Sequence, residues 1–114
     1  MTTRDASKLQ EEYIAKKFNG KRTPNSGATA FKKGDVILEC GMLVECKTCM
    51  KEKESFSIKK EWVLKNKSEA FQNRNTNSCI CFNFGPNQPN YFVIDEKLMQ
   101  FLCEQLMEDN NETF

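Results

Sequence analysis

The sequence predicts a single α/β domain in which helices flank a central mixed β-sheet. The 114 residues are enough for one domain, and a hydrophobic fraction of 39% is ordinary for a globular protein. Helix-like and strand-like segments alternate in the order α-β-β-α-β-β-α, and two strand pairs separated by a helix favour a mixed sheet. We therefore treat 1–114 as one domain, with a short polar N-terminus and an acidic C-terminal tail that frays.

The first half of the chain predicts a helix, a loop and a hairpin. Residues 3–18 have helical spacing of Leu9, Ile14 and Phe18, and 19–34 is rich in glycine and polar residues, which indicates a loop. Residues 35–40 and 42–48 are strand-like, and Gly41 between them predicts a tight turn.

The second half predicts a helix, two strands and a last helix. Ser57 is a suitable N-cap for a helix that ends near residue 72, with Ile58, Trp62 and Phe71 on its buried face. Residues 78–84 and 91–94 are strand-like, with turns before each. Asp95 is a suitable cap for the last helix, whose leucines recur every four residues at Leu98, Leu102 and Leu106.

Composition excludes several kinds of chemistry. The chain has no histidine, so Ser-His-Asp or Cys-His catalysis and His-ligated metal sites are impossible. No run of about 18 apolar residues is present, which predicts no membrane partner. The polar residues 1–10 lack the apolar core of a signal peptide, so we expect an intracellular, cytoplasmic protein.

The net charge of +1 hides a gradient along the chain. Residues 1–34 hold eight Lys/Arg and three Asp/Glu, whereas 68–114 hold two and seven. A local basic face can bind phosphate even when the whole chain is almost neutral, although a solvated surface explains any single lysine pair equally simply. The candidate phosphate-binding cations are Lys16, Lys17, Lys21, Arg22, Lys32, Lys33, Lys59 and Lys60.

Six cysteines leave two interpretations open. Without a signal peptide, a disulfide framework is disfavoured. Cys46-x-x-Cys49 with Cys79-x-Cys81 could hold zinc, but C-x-C pairs at this separation are unusual for such sites. Because most of these cysteines fall in strand-like segments, the simpler interpretation is that they are small core residues.

One group of residues points to metal chemistry. Alternation along a strand places Glu45 and Lys47 on one face and Val44 and Cys46 on the other. Asp35 opens the neighbouring strand of the hairpin, so its carboxylate can lie beside Glu45. Two close carboxylates repel each other, and a hard divalent cation such as Mg²⁺ or Mn²⁺ relieves that repulsion.

The D-x(9)-E-x-K pattern resembles the PD-(D/E)XK nuclease superfamily. Over residues 8–94 the chain is similar to the Holliday junction resolvases of archaea and phages, although Gly34 stands where the family usually has proline. The resemblance implies a restriction-endonuclease-like core. It is carried by Ser26-Gly27, Gly34-Asp35, Glu45-Cys46-Lys47 and the segment 56–61.

The resemblance also implies roles for individual residues. Asp35, Glu45 and the carbonyl of Cys46 would hold Mg²⁺, with Mn²⁺ as a possible substitute, and Lys47 would position the attacking water. A glutamate of the first helix would complete the acidic site.

Two adjacent glutamates compete for that helix position. Glu11 fits the family frame E-x-x-(I/V)-x-x-x-(L/F) through Ile14 and Phe18, so we prefer it to Glu12. Ser26 would contact a phosphate near the cut, or would be a plain turn residue.

The function implied is a metal-dependent endodeoxyribonuclease that cuts branched DNA, in particular four-way junctions, in recombination and repair, encoded by a phage or mobile element. Paired incision implies a homodimer, whose interface would use the last helix or the strand 91–94 unless these residues complete the core. The alternatives are a repair or restriction-type nuclease, a non-catalytic nucleic-acid-binding module, and a zinc-binding interaction protein.

Overall fold

A computed structural model describes residues 2–23 and 35–112. The described chain forms three helices and five strands, and each predicted helix and strand has a counterpart within about three residues of its expected bounds. In chain order they are α1 (Thr3–Lys17), β1 (Gly20–Arg22), β2 (Asp35–Leu38), β3 (Met42–Lys47), α2 (Lys60–Gln72), β4 (Asn77–Phe82), β5 (Tyr91–Val93) and α3 (Glu96–Glu112).

The five strands form one mixed sheet in the order β1-β2-β3-β4-β5. Only β3 and β4 are parallel, and the remaining neighbours are antiparallel. The parallel pair follows from the connection, because a strand that returns through a helix runs in the same direction as its predecessor. The predicted α/β class and the mixed sheet are therefore confirmed.

The two faces of the sheet have different surroundings. On one face Ile14 of α1 packs into a buried cluster that includes Val36, Val44, Cys46 and Cys81. Because side chains alternate along a strand, the residues next to these in sequence point to the other face. There α2 lies against β3 and β4. This second face carries the predicted Asp, Glu and Lys residues.

A strand lies in the segment that the sequence predicts to be a loop. Residues 20–22 form β1, in which Gly20 is paired with Leu38. A Cβ atom at Gly20 would come within 2.8 Å of the Ile37 carbonyl oxygen, so the glycine permits close strand pairing here and does not mark a turn. The expectation of a continuous loop over 19–34 was wrong at this point, and residues 24–34 lie outside the described part of the chain.

Helix α2 differs from its prediction at both ends. It begins at Lys60, after an N-cap residue, Lys59, that makes no side-chain capping bond, so Ser57 is not the cap. Phe71 is 85% exposed, because the buried positions of the helix are Asn66 and Ala70 and the next residue turns away from the sheet by about 100°. Trp62 is half-buried, as its predicted position requires.

Helix α3 begins as predicted, but beyond its first turn it does not pack against the rest of the described chain. The Asp95 carboxylate accepts a hydrogen bond from the Leu98 backbone N–H at 2.9 Å, which confirms the cap. Leu98 is buried, but Leu102 and Leu106 are exposed, and the helix continues through the acidic segment where fraying was expected. No helix among residues 2–23 and 35–112 is long and apolar enough to span a membrane.

Candidate active site

Asp35 and Glu45 form a buried carboxylate pair at the centre of the sheet. Their Cα atoms are partners in the antiparallel pairing of β2 and β3, as the hairpin predicts. The two residues are only 3% and 5% exposed. Asp35 Oδ1 and Glu45 Oε2 are both buried and accept no hydrogen bond. An unsatisfied buried carboxylate oxygen is costly, so the pair is suited to a cation.

The surroundings of the pair oppose its negative charge. The pKa of Asp35 is raised to about 8, mainly by burial and also by the charge and hydrogen bond of Glu69 and the charge of Glu45, while the charge of Lys65 acts in the opposite sense. Burial also raises the pKa of Glu45, although Lys47 and Lys65 act in the opposite sense. Without a cation, the site therefore retains a proton near neutral pH, which a divalent ion would replace.

Lys47 lies beside the pair, as the E-x-K spacing predicts. Its Nζ is 3.8 Å from Glu45 Oε1 and 4.2 Å from the centre of the Trp62 ring. Trp62 belongs to the first turns of α2, so the helix holds the ammonium group over the sheet through a cation–π contact. The positive charge is thereby fixed next to the two carboxylates.

Helix α2 supplies two charged residues that sequence reasoning missed. Glu69 raises the pKa of Asp35 through its charge and a hydrogen bond, and Lys65 Nζ lies 3.8 Å from Glu69 Oε1 one helical turn away. The i, i+4 spacing of Lys65 and Glu69 was visible in the sequence. Which side of α2 faces the sheet was not visible, so the pair looked like an ordinary surface ion pair.

The residues present fit a hard divalent cation with a small ligand set. Among residues 2–23 and 35–112, no group of three or more Cys, Asp or Glu side chains is arranged to hold a metal ion. Mg²⁺ is commonly bound by one or two carboxylates, and water and substrate phosphate supply the other ligands. The unpartnered oxygens of Asp35 and Glu45 match this pattern. The predicted role of the Cys46 carbonyl stays a prediction.

Glu11 is buried and paired, whereas Glu12 is largely exposed. Glu11 Oε1 accepts a hydrogen bond from Arg22 Nε at 3.0 Å, and Glu12 Oε1 lies 4.0 Å from the same guanidinium. Arg22 is the partner of Val36, so this ion pair lies on the α1 face of the sheet, opposite Asp35. Glu11 is thus the buried one of the two glutamates, but the structure does not bring it together with the carboxylate pair, and its role in completing the acidic site stays a prediction.

The predicted DNA-binding cations are distributed over three places. Lys16 and Lys17 are exposed in the last turn of α1, and Lys59 and Lys60 are exposed at the start of α2. Lys21 is the partner of Ile37, which places it on the same face as Asp35. The guanidinium of Arg22 is engaged by Glu11. Three further predicted residues, Ser26, Lys32 and Lys33, lie outside the described part of the chain.

The cysteines are free thiols, and the four in the zinc hypothesis are buried. Cys46 and Cys81 are neighbours across β3 and β4. A hydrogen bond to Cys81, together with burial, raises the pKa of the Cys46 thiol, whereas a zinc ligand must be a thiolate. In the described ranges, which include all six cysteines, no group suited to a metal ion is formed. This geometry favours the interpretation of these four cysteines as core residues, whereas Cys40, expected in a strand, is exposed because β2 ends at Leu38.

Comparison of the chain with protein-family models, with curated proteins and with solved structures gives no match.

Proposed function

We propose that this protein is a metal-dependent DNA endonuclease with a PD-(D/E)XK site, acting on branched DNA such as a four-way junction. The observation that carries the proposal is the arrangement of Asp35, Glu45 and Lys47. Two buried carboxylates keep unpartnered oxygens directly beside a fixed ammonium group. Such a pair destabilises the fold, because its buried oxygens have no partner. A divalent cation bound between the pair and a substrate phosphate would supply that partner.

In this proposal the chain's own residues do three things. Asp35 and Glu45 would hold Mg²⁺, and water and the substrate phosphate would supply its other ligands. Lys47 orients a water molecule towards the phosphate and offsets the negative charge that develops there. When bound, the ion would polarise the scissile phosphodiester and favour ionisation of water. Glu69 of α2 raises the pKa of Asp35 and so raises the pH at which the pair can take up the ion.

DNA would be bound mainly through its phosphates. Lys21 lies on the face of the site, and Lys59 lies 5.6 Å from the Trp62 ring next to Lys47. These cations flank the carboxylate pair on two sides. Binding of this kind releases counterions, so the affinity would fall steeply with salt.

A homodimer would provide the two sites that paired incision requires. Helix α3 extends from the domain with an exposed apolar surface, formed by Met99, Phe101, Leu102, Leu106 and Met107. Pairing of this surface with the same surface of a second copy would be a two-fold interface, the commonest kind in homo-oligomers. Between the two interfaces left open by the sequence, these exposures favour α3.

The test is cleavage of a labelled four-way junction beside a linear duplex of the same sequence, with Mg²⁺ or with EDTA. The variant is Lys47→Ala, and Lys97→Ala, an exposed lysine of α3, is the matched control. We expect metal-dependent symmetric nicks in the junction, retained in the control and lost in Lys47→Ala.

Other outcomes separate the remaining hypotheses. Equal cutting of junction and duplex would support the nuclease activity but contradict the preference for branched DNA. It would favour a repair or restriction-type enzyme. Binding without cutting in Mg²⁺ and in Mn²⁺ would overturn the proposal in favour of a non-catalytic nucleic-acid-binding module.

A further inference from the structure

Five aromatic side chains form a continuous surface next to the carboxylate pair. Phe82 is at its centre, with its ring stacked on Phe56 at 4.9 Å between centroids and 5.9 Å from Tyr91. Phe84 packs edge-on against Phe82 and Tyr91, and Phe56 lies 6.2 Å from Trp62. We call these five residues the aromatic surface.

The strand register places this surface in line with Lys47. Lys47 is the partner of Phe82 across β3 and β4, and Phe82 is the partner of Tyr91 across β4 and β5. Paired residues share a face of the sheet, so the three side chains form one row on the face that carries Glu45. Two strand spacings place Tyr91 roughly 10 Å from Lys47, a distance of one or two nucleotides along a strand.

The aromatic surface is not part of the main core. The buried cluster is on the other face of the sheet, around Val44 and Cys46. Four of the five rings are half-buried, and Tyr91, on the edge strand β5, is 47% exposed. One function of the rings is to hold the segment after β3 against the sheet, where the Lys53 N–H donates to the Phe84 carbonyl at 2.8 Å. That function does not require an exposed tyrosine at the end of the row.

The charges beside the rings indicate what would cover them. Lys47 Nζ is 4.2 Å and Lys59 Nζ 5.6 Å from the centre of the Trp62 ring. Ammonium groups beside a row of rings that ends in an exposed tyrosine match a nucleic acid strand, in which phosphates alternate with flat bases. Base–aromatic stacking is tolerant of sequence, because every base has a π face.

We propose that the aromatic surface stacks unpaired bases of the substrate strand, on the side of the site towards Tyr91. This inference rests on the proposed function and narrows its substrate class. The preferred DNA then contains unpaired bases one or two nucleotides from the phosphate held at Asp35 and Glu45. Fully paired duplex cannot stack there, because its bases already stack on each other.

The test measures binding in EDTA, so it does not depend on cleavage. The probes are a fluorescein-labelled single strand of mixed sequence, the same strand with abasic sites, and the matching duplex. The variants are Tyr91→Ala and Tyr91→Phe. Phe71→Ala removes a ring that is more exposed than Tyr91, 85% against 47%, and that lines a different groove, with Asp95 and Leu98; it is the control. Circular dichroism melting checks the folding of each variant.

We expect Tyr91→Ala to weaken binding of the single strand by about five- to tenfold and Tyr91→Phe to restore it. Duplex binding should not change in either variant, and Phe71→Ala should bind every probe as wild type does. Trp62, the one tryptophan of the chain, gives a second readout in the wild-type protein. Its emission should respond to the normal strand more than to the abasic one.

The proposal is overturned if the abasic strand binds wild type as tightly as the normal strand, or if a folded Tyr91→Ala keeps full affinity for the single strand. The abasic comparison decides the question even if Tyr91→Ala does not fold. Stacking without any metal-dependent cleavage would support the aromatic surface as a binding site and contradict the nuclease function. Cleavage without stacking would support the nuclease function and contradict the role of the aromatic surface.

Discussion

Asp35 and Glu45 face each other across two antiparallel strands, and each has a buried carboxylate oxygen that accepts no hydrogen bond. This relationship ties the fold to the proposed chemistry. The hairpin at Gly41, whose φ of 94° suits glycine, sets the register that brings the two residues together. A second pairing, the parallel one that follows from the connection through α2, brings Lys47 of β3 beside Phe82 of β4. Strand β3 therefore contributes Glu45 to the carboxylate pair and Lys47 to the row that contains the aromatic surface.

The metal-free protein should lose stability as pH rises towards 8. The pKa of Asp35 is about 8 in the folded state against an ordinary value of 3.8 in the unfolded chain, so between these values the folded state keeps a proton that the unfolded chain has released. The free energy of unfolding then falls with pH in this window and levels off above it. The free energy of unfolding of Asp35→Asn should increase relative to that of wild type as pH rises. The increase should reach at least about 1 kcal/mol at pH 9. Urea unfolding in EDTA at pH 5, 7 and 9 measures this, and a constant difference would contradict it.

Removing the charge of Glu69 should let the site bind a cation at lower pH. Glu69 contributes to the raised pKa of both Asp35 and Glu45. In Glu69→Gln, the Mn²⁺-induced rise in melting temperature should therefore appear at a pH lower by about half a unit or more. Glu61→Gln, at an exposed position in the first turn of α2, is the matched control. Identical pH profiles for the two variants would show that Glu69 does not influence the pair.

Arg22 should contribute to stability through Glu11. Arg22→Ala leaves a buried carboxylate without its 3.0 Å partner, and because Arg22 is partly exposed we expect a loss of about 1–2 kcal/mol. Glu12→Gln should change the free energy of unfolding by less than about 0.5 kcal/mol, since Glu12 is exposed. Urea unfolding measures both. Equal effects of the two substitutions on the free energy of unfolding would mean that the Glu11–Arg22 pair stabilises the fold no more than an exposed residue does.

A charge on the apolar side of α3 should separate the proposed dimer. Leu106 is 64% exposed, so Leu106→Glu should leave the domain folded while it disrupts an interface made by this helix. Gln100→Glu adds the same charge beside Glu104, to which Gln100 is hydrogen-bonded, and serves as the control. Light scattering should give twice 13.2 kDa for wild type and the control, and 13.2 kDa for Leu106→Glu. A wild-type protein that is monomeric at all concentrations would contradict the dimer.

The parts of the site that could be predicted from sequence are those that depend on local geometry. Strand alternation and a two-strand turn are enough to place Asp35, Glu45 and Lys47 together. Helical spacing was likewise enough to distinguish the buried Glu11 from the exposed Glu12, but not to show that Glu11 lies on the face of the sheet opposite Asp35. In each case the relevant period is a property of one segment or one hairpin.

The parts that could not be predicted depend on how distant segments pack. Glu69 joins the site only because one particular side of α2 meets β3, and the helix carries polar and apolar residues on several sides. β1 is three residues long and begins with glycine, so it has no strand pattern of its own. The leucines of α3 predict an apolar side but not whether the core or a second copy covers it, and the exposure of Leu106 shows that the core of this chain does not.

The most direct test of the central claim is Mn²⁺ binding measured by calorimetry at about pH 8.5, where both carboxyls are ionised more fully. Wild type is compared with the double variant Asp35→Asn/Glu45→Gln, which keeps the shape of the pair and removes its charge. We predict a bound ion in wild type and at least about tenfold weaker binding in the variant. Equal affinity and stoichiometry in the two proteins would contradict the claim that this pair is a metal site.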